Sequence, residues 1–203
     1  MIRIENLQVY GFESAMSGMR NPMNSWSLGD TIGNDIGDND LKLLKQLVKV
    51  GSDHRKVLRQ MFISCDITAP LYWWKEFDTY KVGVTSNSQS TMHKLCSRPI
   101  TMNDFSFEDM HKNECIVNEV IDNLNARISD YQKTKNKNLW RTIIQLLPCA
   151  YNQTRTITMN YENVLNMYSQ RRYHKLYEWQ EFCCYMYDNL PYFKILVDEL
   201  EKK

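Results

Sequence analysis

Apolar residues recur at Ile2, Ile4, Leu7 and Val9, an alternation that predicts a first strand over residues 2–9. The stretch from Gly11 to Asp38 holds five of the seven glycines and Pro22, and predicts a loop-rich segment with at most a short helix. From Asn39 to Val50 the period lengthens: Leu41, Leu43, Leu44, Leu47 and Val48 form one helical face, closed by Gly51. Met61 to Ile67 reads as a buried strand ending before Pro70, and Pro70 suits the first turn of a helix carrying Trp73, Trp74 and Phe77. Cys115 to Gln132 predicts a long helix with Ile116, Val120, Leu124 and Ile128 inward, and Asn138 to Leu147 another, stopped by Pro148. Thr154 to Met159 alternates as a strand, and from Asn160 onward the chain is mostly helical with a break near Pro191. There is no internal repeat. The pattern implies an α+β fold in one domain over 1–203, an antiparallel or mixed sheet flanked by long helices, with most helix in the second half.

Two segments do not fit a purely structural pattern. Tyr80 to His93 contains, from Thr85 to Thr91, seven consecutive hydroxyl or amide side chains, close behind the aromatic run Leu71 to Phe77. Such a run is either a capping turn region or the wall of a pocket for a polar, planar ligand. The second segment runs from Leu147 through a strand into a helix on which Asn163, Asn166 and Gln170 fall at i, i+3 and i+7. That spacing sets three amides on one face, followed by Arg171 and Arg172. An amide stripe beside a guanidinium suits the edge of a base or an isoalloxazine and a phosphate; the plainer reading is a solvated helix face.

Composition narrows the classes. With 43% hydrophobic and 24% charged residues in 203, the chain is that of a globular protein with length for a real core. A net charge of +1 argues against nucleic acid as a partner. No apolar stretch nears the ~18 residues needed to span a bilayer, and Met1 to Glu5 lacks the features of a signal peptide. No membrane association and a cytoplasmic location are expected. The six cysteines include no Cys-x-x-Cys pair and the histidines are scattered, so buried free thiols and no metal site are expected. Asp53-His54 before the second strand suits a capping or packing role.

The order of motifs resembles one family. Leu147-Pro148, Asn160 twelve residues after that proline, Asn166, an arginine at 171 or 172 and Glu178-Trp179 are similar to the second half of the flavin-dependent thymidylate synthases. In the first half the strand at 61–67, Pro70, the aromatic helix and Asn87-Ser88-Gln89-Ser90-Thr91 resemble that family's strand, helix and signature, so the likeness covers residues 40–195. It implies a homotetramer in which neighbouring subunits together hold FAD and dUMP, with nicotinamide and folate co-substrates and no attacking cysteine. Carried over by position, Lys81, Thr85, Asn87, Asn160 and Asn166 would contact the flavin. Gln89, Ser90, Arg141 and either Arg171 or Arg172 would hold the pyrimidine nucleotide, with Ser90 the catalytic position.

The departures are equally specific. Tyr80-Lys81-Val82 stands where the family has Arg-His-Arg, Ser88 replaces a glutamate, Met92 an arginine and His93 an aromatic residue. A further expected arginine is Ile144, with Arg141 close to one helical turn earlier. Each lost arginine–phosphate contact weakens binding by about 1.5–3 kcal/mol, so losing two of three lowers dUMP affinity by roughly two to four orders of magnitude. The sequence therefore implies either a divergent enzyme that methylates or otherwise modifies a dUMP-like nucleotide at C5, or a non-catalytic homo-oligomer that binds and sequesters a nucleotide on the same fold.

Overall fold

A computed structural model describes residues 2–107 and 110–202. The architecture is α+β. Strand β1 spans Arg3–Tyr10, followed by helices α1 (Phe12–Met19) and α2 (Asp38–Val50). Strand β2 (Phe62–Pro70) runs into α3 (Leu71–Phe77), and β3 (Thr85–Ser88) precedes the short α4 (Thr91–Lys94). Next come α5 (Met110–Thr134), α6 (Lys137–Leu146) and β4 (Asn152–Asn160). Helices α7 (Tyr161–Arg171), α8 (Tyr177–Asn189) and α9 (Phe193–Glu201) complete the chain. The four strands form one antiparallel sheet in the order β1-β2-β4-β3.

By backbone packing the chain divides into two compact units. One comprises Met1–Arg3, Ile67–Thr79 and Asn87–Arg155. Its core is built from Leu95, Ile100, Phe105, Val117, Ile121, Leu124, Ile128, Ile143 and Tyr151. On α3, Trp73 and Trp74 meet edge to face at 4.9 Å, and Trp74 meets Phe77 at 5.3 Å. The Trp74 indole N–H donates to the Gln153 carbonyl at 2.9 Å. All three rings are buried, so this aromatic cluster is core and not a platform for a ligand.

The other unit comprises Ile4–Asp66, Tyr80–Ser86 and Thr156–Lys203. Tyr161 is its hub: the ring meets Phe12 at 5.4 Å and Phe193 at 6.2 Å, and its hydroxyl donates to the Pro191 carbonyl. Arg20 and Asp40, both buried, pair at 2.6 Å. The second Asp40 oxygen accepts from the Asp30 and Thr31 amides and the Thr31 hydroxyl. Asp30 in turn accepts from the amides of Asn39 and Asp40, satisfying the first turn of α2 that Gly37 cannot cap with a side chain. This network fixes the glycine-rich segment before α2.

Three expectations are corrected. Ile116 is 63% exposed and Val117 takes the inward position on α5, because Val117, Ile121, Leu124 and Ile128 fall at i, i+4, i+7 and i+11 on one helical stripe. The strand ending before Pro70 continues through it, since a φ of -69° and a ψ of 151° keep Pro70 extended within the range its ring allows. Only Cys65 and Cys183 are buried; Cys115, Cys149 and Cys184 are exposed.

Candidate functional site

In the unit that holds α7 and α8, the site is organised around the start of α7. Asn160 ends β4 and caps α7: its Oδ1 accepts from the Asn163 amide at 2.9 Å, while Asn163 Oδ1 accepts from the Asn160 amide at 3.1 Å. Asn163 Nδ2 then donates to the Val82 carbonyl at 2.7 Å, tying the turn after Tyr80 to the helix start. Gly83 makes this approach possible, with a φ of 77° and room for no Cβ, which would lie 2.8 Å from Asn160 Nδ2. The amide of Asn160 is thus used by the fold itself. Lys81 and Thr85, on either side of the glycine turn, are exposed.

Further along α7, Asn166 faces an ion pair. Arg55 holds Glu162 through two nitrogens, Nε to Oε2 at 2.9 Å and Nη2 to Oε1 at 3.0 Å, and Nη2 also reaches Asn166 Oδ1 at 3.5 Å. The Asn166 oxygen faces the guanidinium as its acceptor, which leaves the NH2 group of the amide as a donor.

At the end of α7, Tyr80 receives Arg171. The Tyr80 hydroxyl accepts from Arg171 Nε at 3.0 Å and donates to Gln170 Oε1 at 3.0 Å. Its ring meets Trp179 of α8 at 5.9 Å, and the Arg171 guanidinium lies 5.2 Å from the Trp179 ring centre. Arg172 goes elsewhere: Nη1 bonds the Glu201 carboxylate, and the guanidinium lies over Tyr168 at 5.3 Å and Tyr173 at 4.9 Å. The two adjacent arginines therefore serve different surroundings, one with Tyr80 and Trp179, the other with the C-terminal helix.

In the other unit, Gln89 is anchored by its backbone: its amide donates to the Thr154 carbonyl at 2.8 Å and its carbonyl accepts from Gln153 Nε2 at 2.8 Å. Ser90 Oγ accepts from the His93 amide at 3.1 Å and caps α4. Trp140 Nε1 on α6 donates to the Met92 carbonyl at 3.0 Å, and the next residue, Arg141, is exposed. Asn87 is exposed, as is every residue of β3. The hydroxyl- and amide-rich run is thus an edge strand followed by a helix cap.

The sequence pattern names Tyr80 and Trp179 but gives neither a role, and it does not show the Arg55–Glu162 pair. One signal was available: Glu162 is a carboxylate on the face of α7 that otherwise buries Tyr161, Val164, Leu165 and Met167, and a buried carboxylate requires a partner. His54 lines a separate groove of about 620 Å³ with Arg20, Lys42, Gln46, Leu47 and Lys56.

Burial favours the protonated form of the two buried thiols. Burial pushes Cys183 up to about 12, with Cys184 adding to the effect and Arg172 and Arg171 opposing it. Burial and the neighbouring Asp66 likewise push Cys65 up to about 12.

No protein-family model and no curated protein matches the sequence. Solved structures do match the fold. Two are of the flavin-dependent thymidylate synthase ThyX from Helicobacter pylori with FAD and dUMP, at TM-scores of 0.74 and 0.75 and 16% identity. They cover 98% of this chain and 99% and 98% of theirs. A UMP/dUMP methylase, PolB from Streptomyces cacaoi, bound with 5-Br dUMP, matches at a TM-score of 0.63 and 9% identity over 100% of this chain and 93% of that one. The chain has the fold of the flavin-dependent thymidylate synthases, on a sequence far diverged from theirs.

Proposed function

We propose that this chain binds a pyrimidine nucleoside monophosphate of the dUMP class and, with FAD, carries out a reductive one-carbon modification at C5 of the ring. The observation that carries this reading is the pre-set Arg171, held by the Tyr80 hydroxyl and the face of Trp179 at the end of the amide-bearing helix α7. A planar guanidinium fixed in direction is the group best suited to a phosphate. Asn166 presents an NH2 donor to a ring carbonyl; in the other unit, Gln89, Ser90 and Arg141 are the candidates for nucleotide contacts.

For the flavin, the exposed donors Thr85, Asn87 and Lys81, with Asn166, suit a dinucleotide diphosphate and a ring edge; Asn160 acts through its cap with Asn163, whose Nδ2 holds the glycine turn at the Val82 carbonyl. When bound, the flavin and a folate supply the hydride and the one-carbon unit. The chain's own residues bind and orient the nucleotide, which is the larger part of such catalysis. Exposure of all four β3 side chains supports a site completed by a neighbouring subunit, in a homotetramer. A cytoplasmic location fits this chemistry.

A second reading is a nucleotide-binding oligomer without catalysis. It is favoured by Tyr80-Lys81-Val82, where Lys81 is a point charge in place of two guanidinium forks. One experiment separates the two: the absorption spectrum of the purified protein, with thermal unfolding in added FAD and dUMP. A flavin band and stabilisation by both ligands are expected of the enzyme. Stabilisation by dUMP alone marks the non-catalytic binder, and stabilisation by neither ligand contradicts both readings.

A further inference from the structure

We propose that Tyr80 is a positioning residue that directs Arg171 at the 5′-phosphate, so that the site prefers a pyrimidine nucleoside monophosphate to the nucleoside. The inference rests on the reading that Arg171 meets the phosphate. Tyr80 stands where the resemblance places an arginine, and the structure gives the tyrosine a task of its own.

The hydrogen-bond chain has one polarity. Gln170 Oε1 can only accept, so the Tyr80 O–H points to it at 3.0 Å. Arg171 Nε can only donate, so it takes the remaining hydroxyl lone pair at 3.0 Å. The hydroxyl therefore cannot rotate away without losing both partners. The phenol ring is itself held against Trp179, 5.9 Å between centres at an interplanar angle of 66°. The same indole lies 5.2 Å from the guanidinium carbon. Because a guanidinium is planar and rigid, fixing its Nε edge and one face fixes the direction of its two terminal nitrogens. Trp179 attracts the cation and Tyr80 aims it.

Tyr80→Phe separates these roles, because it keeps the ring on Trp179 and removes only the aim. Titration calorimetry with dUMP and with deoxyuridine, on the wild type and on this variant, reads the outcome. The expected result is a loss of about tenfold in dUMP affinity, in keeping with one hydrogen bond to a charged group. Deoxyuridine affinity stays within about twofold of the wild type on the same grounds, since that ligand has no phosphate. Arg171→Lys, which keeps a charge without the fork, should lose the preference as well. Equal losses for both ligands would assign Tyr80 a merely structural role and overturn the inference, as would an unchanged dUMP affinity in Tyr80→Phe when Arg171→Lys is impaired. If the wild type binds no dUMP, the proposed function fails along with it. Should Tyr80→Phe not fold, Gln170→Met removes the acceptor alone, and a selective weakening of dUMP is again expected, with no selectivity counting against the inference.

Discussion

Arg55 holds Glu162 through two parallel hydrogen bonds, with the two side chains 12% and 9% exposed. They are 107 positions apart in sequence and join the segment before β2 to the first turn of α7. Removing one member leaves a charge with little water, at a cost of about 3–5 kcal/mol. Arg55→Ala is therefore expected to lower unfolding free energy by at least about 3 kcal/mol. Replacing both, Arg55→Met with Glu162→Leu, should come within about 1 kcal/mol of the wild type. Urea unfolding checks this, and a silent Arg55→Ala would show that the pair holds nothing.

Gly83 sits in the left-handed region, with Asn160 against its α-carbon. Gly83→Ala adds backbone strain of about 1–2 kcal/mol and pushes on an amide that cannot retreat without breaking the cap of α7. The expected outcome is a lower thermal midpoint together with weaker dUMP binding, because the turn carries Tyr80 and Lys81. Unchanged ligand binding in a destabilised variant would detach the turn from the site.

Acid sensitivity should trace in part to Asp40. Burial pushes its carboxyl up, but hydrogen bonds from Thr31 and Arg20 and the Asp30 amide outweigh it and hold the group below the usual carboxylate range. A folded-state value below the unfolded one means that the stabilisation is fully present above about pH 4 and is lost as pH falls through the folded value. Asp40→Asn is expected to be less stable at neutral pH and to show a shallower decline on acidification. Parallel urea-midpoint curves for the two proteins from neutral to acid pH would contradict this.

Cys183 and Cys184 are neighbours with opposite expected reactivity. Cys183 is buried and pushed up to about 12, whereas Cys184 is exposed. In the native state Cys115, Cys149 and Cys184 should alkylate quickly, and Cys65 and Cys183 only on unfolding. Peptide mapping after a short iodoacetamide pulse reads this directly, and early label on Cys183 would mean that α8 opens.

Much of the fold was legible because the long elements carry their period openly. The Leu44 and Val48 face of α2, the alternation of β1 and β4, and the stop at Pro148 all follow from residue spacing. Strand β3 was not legible. It is an exposed edge strand of Thr, Ser, Asn and Ser, with no apolar alternation to betray it, and the segment is pinned by backbone bonds such as Gln89 to Thr154. The Arg20–Asp40 pair could not be read either, since nothing local marks two charges as partners across 20 positions. At the site, the i, i+3, i+7 spacing put Asn163, Asn166 and Gln170 on one face of α7. Tyr80, by contrast, read only as a missing arginine until its hydroxyl was seen to hold one.

The central claim is that Arg171, at the end of α7, binds the phosphate of a pyrimidine nucleotide. Titration of dUMP into the wild type and into Arg171→Ala, followed by calorimetry at fixed ionic strength, tests it most directly. Saturable binding by the wild type, weakened by at least about tenfold in the variant, is the expected result for a lost arginine–phosphate contact. Absence of binding to the wild type at millimolar dUMP, or equal affinities for the two proteins, would contradict it.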